Sequence, residues 1–502
     1  MDSLSSSPKH RLSLWDAICL IVGIIIGASI YKTSPDIFRS AGDAQMGMLA
    51  WIVGGVVSLI GALCYAELAS CYRSSGGDYT FLTRAYGSRV GFFFAWAELS
   101  VIRTGGSIAF MAYVFAEYAT VFHNLGENSR LIYAVTGILG LTFINAFGMK
   151  PGRLVQNALT TSNIIGLIGI ATIGFIWWLW PEKTTIPETT RIATEVSTAI
   201  GLGASGNSVI LSTPLVLPPV YETTLALTMV LVFYAYGGWN EAAFIASEVR
   251  QPRKNITRAL LGGTLLVTTI YIAVNLAYLG ALGYRGVCES KAIAADMFAL
   301  PFGEMGRKAI SALIMVSALG SVHGLLFTGM RLYGTFGADH KLFAFLAGPK
   351  DRPHGALGAL FAQAAFSLLL ISIVEFTWVW RSLLKMVSTG CGFEVAEDFH
   401  SHGGIYDLVT CTAPVFWLFF FLTGCSLFVL RYKDAGRERP FRVPLYPIIP
   451  FLFVASCGFM LYRSTLYAFQ QEPAEAVIVG LLIVMALPLG YLSSRKKPSG
   501  DE

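Results

Sequence analysis

Two glycine-broken stretches, each inside an apolar segment of membrane length, hold the residues best placed for chemistry. The first is Gly23-Ile-Ile-Ile-Gly27-Ala28-Ser29 and the second is Tyr234-Ala-Tyr-Gly237-Gly238-Trp-Asn240. A broken helix in hydrocarbon leaves N–H and C=O groups unpaired at several kcal/mol each. Such breaks persist only where the backbone lines a cavity or meets a ligand. At the first, Gly27 and Ser29 permit unwinding, and an outer half-helix restarts near Ile30. Its N–H groups and positive dipole end suit a carboxylate. At the second, the carbonyls of residues 234–236 become available where a half-helix ends, and these accept from a cation such as an α-ammonium. Opposed in this way, the two breaks grip both charges of a zwitterion. The competing reading is that the glycines only allow close helix packing. The Tyr, Trp and Asn flanking Gly237-Gly238 favour a ligand site.

Other ionisable residues in apolar surroundings are functional candidates by default: Glu67, Glu98, Arg103, Glu117, Glu241 and Glu248. Glu98 and Arg103 are five apart, ~140° around an α-helix, and are not expected to pair. Glu248 is expected in a structural or gating ion pair beside Arg250. His323 reads as a core histidine, without His or Cys neighbours at metal-ligand spacing. The sequence contains no metal-ligand cluster, hydrolase elbow or phosphate loop, so no catalytic residue, metal or cofactor is expected, and no enzyme. Eight cysteines form no CxxC pair. Cys288 and Cys391, both in outer loops, either pair as a disulfide or stay free.

The elements that carry these residues follow from composition. Of 502 residues, 54% are hydrophobic and 13% charged, against about 25% charged in soluble domains. This excludes a soluble protein and predicts an all-α membrane protein. Twelve apolar spans are read: 15–37, 46–71, 90–122, 131–147, 154–180, 224–246, 259–282, 310–336, 357–374, 408–430, 445–467 and 476–492. Most reach the ~20 residues that cross hydrocarbon as a helix. The breaks lie about 210 residues apart and open spans one and six. Five spans per half invert the second half relative to the first, the inverted-repeat plan of many secondary transporters. The predicted organisation is a tail (1–14), a first five-helix repeat (15–180), a long outer loop (181–223), a second inverted repeat (224–432, with an outer insertion at 375–406), two additional helices (433–492) and a second tail (493–502). Residues 209–220 are too proline-rich for a further helix, and residues 376–386 read as an interfacial amphipathic helix or a loop. Inner segments hold 23 Lys and Arg and outer segments 11, which predicts a multi-pass protein of the cell membrane with both termini cytoplasmic. The net charge of +5 reflects this bias, and no nucleic-acid partner is implied.

The motifs also carry a resemblance. Val22-Gly-Ile-Ile-Ile-Gly-Ala-Ser-Ile-Tyr31 is similar to the first-helix signature of the amino acid–polyamine–organocation superfamily. Phe233-Tyr-Ala-Tyr-Gly-Gly-Trp-Asn-Glu241, followed by Glu248-Val-Arg-Gln-Pro-Arg253, resembles helix six of its L-type amino acid transporter branch. Tyr65-Ala-Glu-Leu, Ser75-Gly-Gly-Asp-Tyr79, Val101-Ile-Arg103, Val155-Gln-Asn157, Ser317-Ala-Leu-Gly-Ser-Val322 and Arg439-Pro-Phe-Arg-Val-Pro444 match in the same order. The resemblance implies a LeuT-type bundle, a 5+5 inverted repeat plus two C-terminal helices, that moves amino acids by alternating access. It assigns the carboxylate to the backbone of Gly27, Ala28 and Ser29, and pocket-wall positions to Ile25 and Ile30. Tyr234 becomes an aromatic gate, Gly237 a pocket glycine and Asn240 a nearby polar residue. Phe416 and Trp417 fall where the branch often has Asn-Trp.

Three departures stand out. The first break reads Gly-Ala-Ser where the family often has Gly-Ser-Gly. Lys32 occupies a usually uncharged position; it is expected to snorkel to the surface, the sharper alternative being a vestibule charge that favours acidic substrates. Asn163 stands where relatives commonly place a lysine on helix five. An amide neither carries that charge nor exchanges a proton near neutral pH, so proton coupling there is not expected. Sodium between helix one and Ser317 and Ser321 is the alternative coupling site. The expected function is exchange or facilitated transport of neutral L-amino acids; the alternatives are proton- or sodium-coupled symport and a non-transporting sensor on the same fold. Some branch members join a single-span glycoprotein through a cysteine after helix three. The loop here, 122–130, has none, so no disulfide-linked heavy chain is expected. The expected partners are the amino acid and the lipid bilayer.

Overall fold

The computed structural model describes residues 12–27, 29–179, 225–348, 356–375, 405–471 and 473–493. Ala28, Cys391, the proline-rich stretch at 209–220 and the amphipathic candidate at 376–386 lie outside these. So do most of both tails. Within them the chain is helical, and its only extended pairing is an isolated bridge between Leu12 and Val249.

Among the described residues nine helices are long and apolar enough to cross a membrane, and two shorter apolar ones cover 357–372 and 479–492. The sixth predicted span is helical only over Leu225–Ala235, because its glycines end it there. The first is α1 (Leu14–Ile25), a short α2 (Ser29–Lys32) and α3 (Ser34–Ala41). Ser13 and Asp16 form a reciprocal capping box that starts α1, satisfying N–H groups that the helix leaves unpaired. Then come α4 (Ala44–Cys71), α5 (Asp78–Tyr86) and α6 (Ser88–Ala97).

After α6 the chain is a π-helix over Glu98–Ala109, continued by α7 (Phe110–Ala119). This changes the geometry of Glu98 and Arg103. In a π-helix residues five apart bond along one face, and Arg103 Nε lies 3.1 Å from Glu98 Oε2. The expectation that they do not pair assumed α-helical pitch and is corrected.

The remaining helices are α8 (Ser129–Ala146), α9 (Met149–Leu179), α10 (Leu225–Ala235), α11 (Pro252–Glu289), α12 (Ile293–Asp339), α13 (Leu357–Glu375), α14 (Ile405–Lys433), α15 (Ile448–Gln471), α16 (Pro473–Val484) and α17 (Ala486–Leu492). Gly283 and Gly303 kink α11 and α12. The segment carrying α1 and α2 is 82% buried, whereas Ser129–Ala146 and Ile448–Gln470 are 33% and 28% buried. The broken helix therefore sits inside the bundle, and the latter two form its rim.

The Lys- and Arg-rich face is knotted by polar ties. Leu12 exchanges backbone hydrogen bonds with Glu248 and Arg250, at 2.9 and 2.8 Å. Arg331 grips both oxygens of Glu248, at 2.6 and 2.8 Å, so Glu248 stands in a buried ion pair that crosses from its own segment to α12. Two of the quoted motifs meet at Glu67, which accepts from Arg431 at 2.8 and 2.6 Å, from Arg439 at 3.1 Å and from the Val443 N–H at 2.7 Å.

Candidate functional site

The two breaks lie side by side. Gly238 has φ 111°, a left-handed conformation that favours glycine. A Cβ there would come within 2.8 Å of Ile24 Cγ2 and 3.5 Å of the Ile25 nitrogen. The packing reading also holds for part of the first break. A Cβ on Gly23 would sit 2.1 Å from Thr160 Oγ1, and one on Gly27 would sit 2.8 Å from Met111 Cε. The glycines thus serve both close approach and unwinding.

Several of the freed carbonyls find protein donors, as buried backbone tends to. The Tyr271 hydroxyl of α11 lies 2.9 Å from the Ile25 carbonyl and 3.2 Å from that of Ala235, bridging the two breaks. Ser29 Oγ also approaches the Ala235 carbonyl, at 3.5 Å. The Tyr234 carbonyl accepts from the Gly237 N–H at 3.1 Å. Of the three carbonyls expected at the second break, that of Tyr234 holds one protein donor and keeps a second lone pair, whereas that of Ala235 is approached by two hydroxyls. Tyr271 was not anticipated. Nothing in the sequence sets it apart from Thr264, Thr268, Thr269 and Tyr278, the other hydroxyl residues of its apolar span.

Asn163, Ser317 and Ser321 converge on the first break. The Ile26 carbonyl accepts from Asn163 Nδ2 at 2.8 Å and from Ser317 Oγ at 2.9 Å. Asn163 Oδ1 accepts from the Tyr31 hydroxyl at 2.8 Å. Ser321 Oγ donates to the Gly23 carbonyl at 3.0 Å. Ile25 and Ile30 are buried beside the break. Asn240 lies on the 3₁₀ turn Trp239–Ile245, and its amide points to Asp78 Oδ2 at 3.5 Å.

Aromatic rings cover the second break. Tyr234 is half-buried and meets Phe110 edge to face at 5.8 Å, and Phe233 meets Trp417 at 5.6 Å. Gly237 lines a small cavity of about 20 Å³, with Phe233, Phe416, Trp417 and Phe420 among its walls. Lys32 and Arg103 are paired. Lys32 bonds to Glu117 of α7, the two side chains being 20% and 45% exposed, so its ammonium ends in a partly exposed ion pair. Arg103 Nη2 lies 2.9 Å from Glu241. His323 Nδ1 lies 2.9 Å from Gln156 Oε1, while Nε2 has no partner among the described residues. Among the described residues no group of three or more His, Cys, Asp or Glu is arranged to hold a metal.

A multi-pass helical bundle with two adjacent broken helices defines a LeuT-type transporter fold, and known structures share it. The crystal structure of MhsT in complex with L-phenylalanine is similar over 95% of this chain and 100% of that one, with a TM-score of 0.54 and 12% identity. The amino acid permease family model matches residues 12–487, and the chain belongs to that family. Relatives include the serine/threonine exchanger SteT of Bacillus subtilis (strain 168), 26% identical with 98% of both chains covered. The human large neutral amino acids transporter small subunit 2 is 27% identical, over 96% of this chain and 80% of that protein. The cystine/glutamate transporter of Pongo abelii is 26% identical, over 96% and 85%.

Proposed function

We propose that this permease exchanges or facilitates the passage of neutral L-amino acids by alternating access, with its basic face toward the cytoplasm of a cell membrane. The observation that carries this is the pair of adjacent breaks bridged by Tyr271. The substrate carboxylate meets the N–H groups at Gly27–Ile30, Ala28 and Ser29 included. The ammonium takes lone pairs left free at the Tyr234–Tyr236 carbonyls. Tyr234 closes over it, with Gly237 leaving room for the side chain and Asn240 below. Neutral side chains suit the site because the walls are aromatic and the cations Lys32 and Arg103 are already paired with Glu117 and Glu241. Substrates of the named relatives range from serine and threonine to cystine and glutamate. The pairing of Lys32 with Glu117 is what argues against an acidic one here.

Exchange is favoured over ion-coupled symport by the Ile26 carbonyl. Asn163 and Ser317 occupy it with two protein donors, leaving it no lone pair for sodium. The absence of cysteine from the loop 122–130 supports a subunit that works without a disulfide-linked partner. Purified protein in liposomes tests the reading. Uptake of labelled neutral amino acid should rise when amino acid is trapped inside and should be unchanged when choline replaces sodium. No flux of any amino acid under either condition would sink it, and flux lost with sodium would favour symport.

A further inference from the structure

A deeply buried charged cluster lies just to the basic-face side of the second break, and its charges do not balance. Three carboxyl groups, Asp78, Glu98 and Glu241, interact electrostatically, and the guanidinium of Arg103 answers two of them. Asp78, Glu98, Glu241 and Arg103 are 2%, 8%, 5% and 2% exposed. Full ionisation would leave uncompensated negative charge in a low-dielectric interior, which costs several kcal/mol. Hydrogen bonds identify the odd carboxyl. Glu241 receives both terminal nitrogens of Arg103, at 3.0 and 2.9 Å, and the Thr328 hydroxyl. Glu98 receives Arg103 Nε at 3.1 Å. Asp78 has only the Asn240 amide, at 3.5 Å on Oδ2. Its Oδ1 faces Tyr65 of α4 and Thr423 of α14, and none of these three oxygens has a hydrogen-bond partner among the described residues. Tyr333 of α12 faces the Arg103 side of the cluster.

We propose that Asp78 is a proton-binding site, and that its proton belongs to the conformation in which the basic face is closed. The proton comes from water on that face. Gly77 packs against Phe244 of the 3₁₀ turn, which holds the carboxyl beneath Asn240 and away from solvent. Burial, reinforced by the charge of Glu241 and opposed by Tyr65, Thr423 and Asn240, pushes the Asp78 carboxyl up to about 6. When the face opens, the turn withdraws and water restores the ordinary value near ~3.9. The closed form thus binds the proton more tightly, and acidification below pH ~6 favours closure. Between pH 7.5 and 5 the closed-to-open ratio should rise roughly tenfold.

The inference rests on alternating opening of this face, and the test separates the two. Spin labels are attached through keto amino acids at Lys254 and Lys341, both exposed, the first shortly after Glu248 in the chain and the second just past the end of α12, which carries Arg331. Distances are read by electron–electron double resonance on the full chain in nanodiscs at pH 7.5 and 5. The closed fraction should grow at pH 5 in the native protein and in Asp78→Glu, and should not change in Asp78→Asn. Monodisperse elution establishes that each variant is folded. Two distances that respond to amino acid but not to pH would overturn the proton site alone. So would a pH response that persists in Asp78→Asn and disappears in Glu98→Gln. One distance under every condition would overturn the alternating-access reading as well.

Discussion

Tyr234 and Tyr271 stand differently beside the two breaks. Tyr271 is wholly buried, and its hydroxyl lies between two backbone carbonyls, one from each break. Tyr234 is only half-buried, against Phe110. Removing the Tyr234 ring should therefore weaken transport more than folding. We expect Tyr234→Ala to raise KM about tenfold or more, since covering a ligand with an aromatic side chain is worth one to several kcal/mol, while expression and elution stay unchanged. Unaltered transport kinetics would remove Tyr234 from the site.

At the scale of elements, the π-helix Glu98–Ala109 sets the charge geometry. It places Glu98 and Arg103 on one face, and Arg103 then reaches Glu241 on the 3₁₀ turn and Thr328 on α12. One guanidinium ties three elements at a depth where a lone carboxylate is costly. Arg103→Met should lower stability by about 3–5 kcal/mol, the usual loss when one partner of a buried pair is removed. Adding Glu241→Gln should restore part of it. Thermal unfolding of purified protein measures both, and equal stability of native and Arg103→Met protein would show that the pair holds nothing together.

For the whole molecule, polar ties hold the basic face, and at the proposed site the Tyr234 ring meets Phe110 edge to face. The Arg331–Glu248 pair ties the segment that follows the 3₁₀ turn to α12, both side chains being 2% exposed. Glu248→Gln should loosen it without stranding a buried carboxylate, and should shift the distance between labels at positions 254 and 341 toward the open form at pH 7.5. A distribution identical to that of the native protein would mean that other contacts hold this face shut.

The sequence by itself determined what depends on short-range backbone chemistry and on hydropathy. The helices, the two breaks and the family motifs were legible because glycines interrupt apolar runs and because charge is scarce elsewhere. Tertiary structure decided the pairings. Which carboxylate meets which cation depends on helices distant in sequence, so the partners of Lys32 and Glu248 could not be read from their neighbours. Helical pitch decided Glu98 and Arg103, since a π-helix differs from an α-helix in register and not in composition. The bridge from Tyr271 to both breaks, and the exposed imbalance at Asp78, arise only where chain segments separated by many tens of residues come within hydrogen-bonding distance.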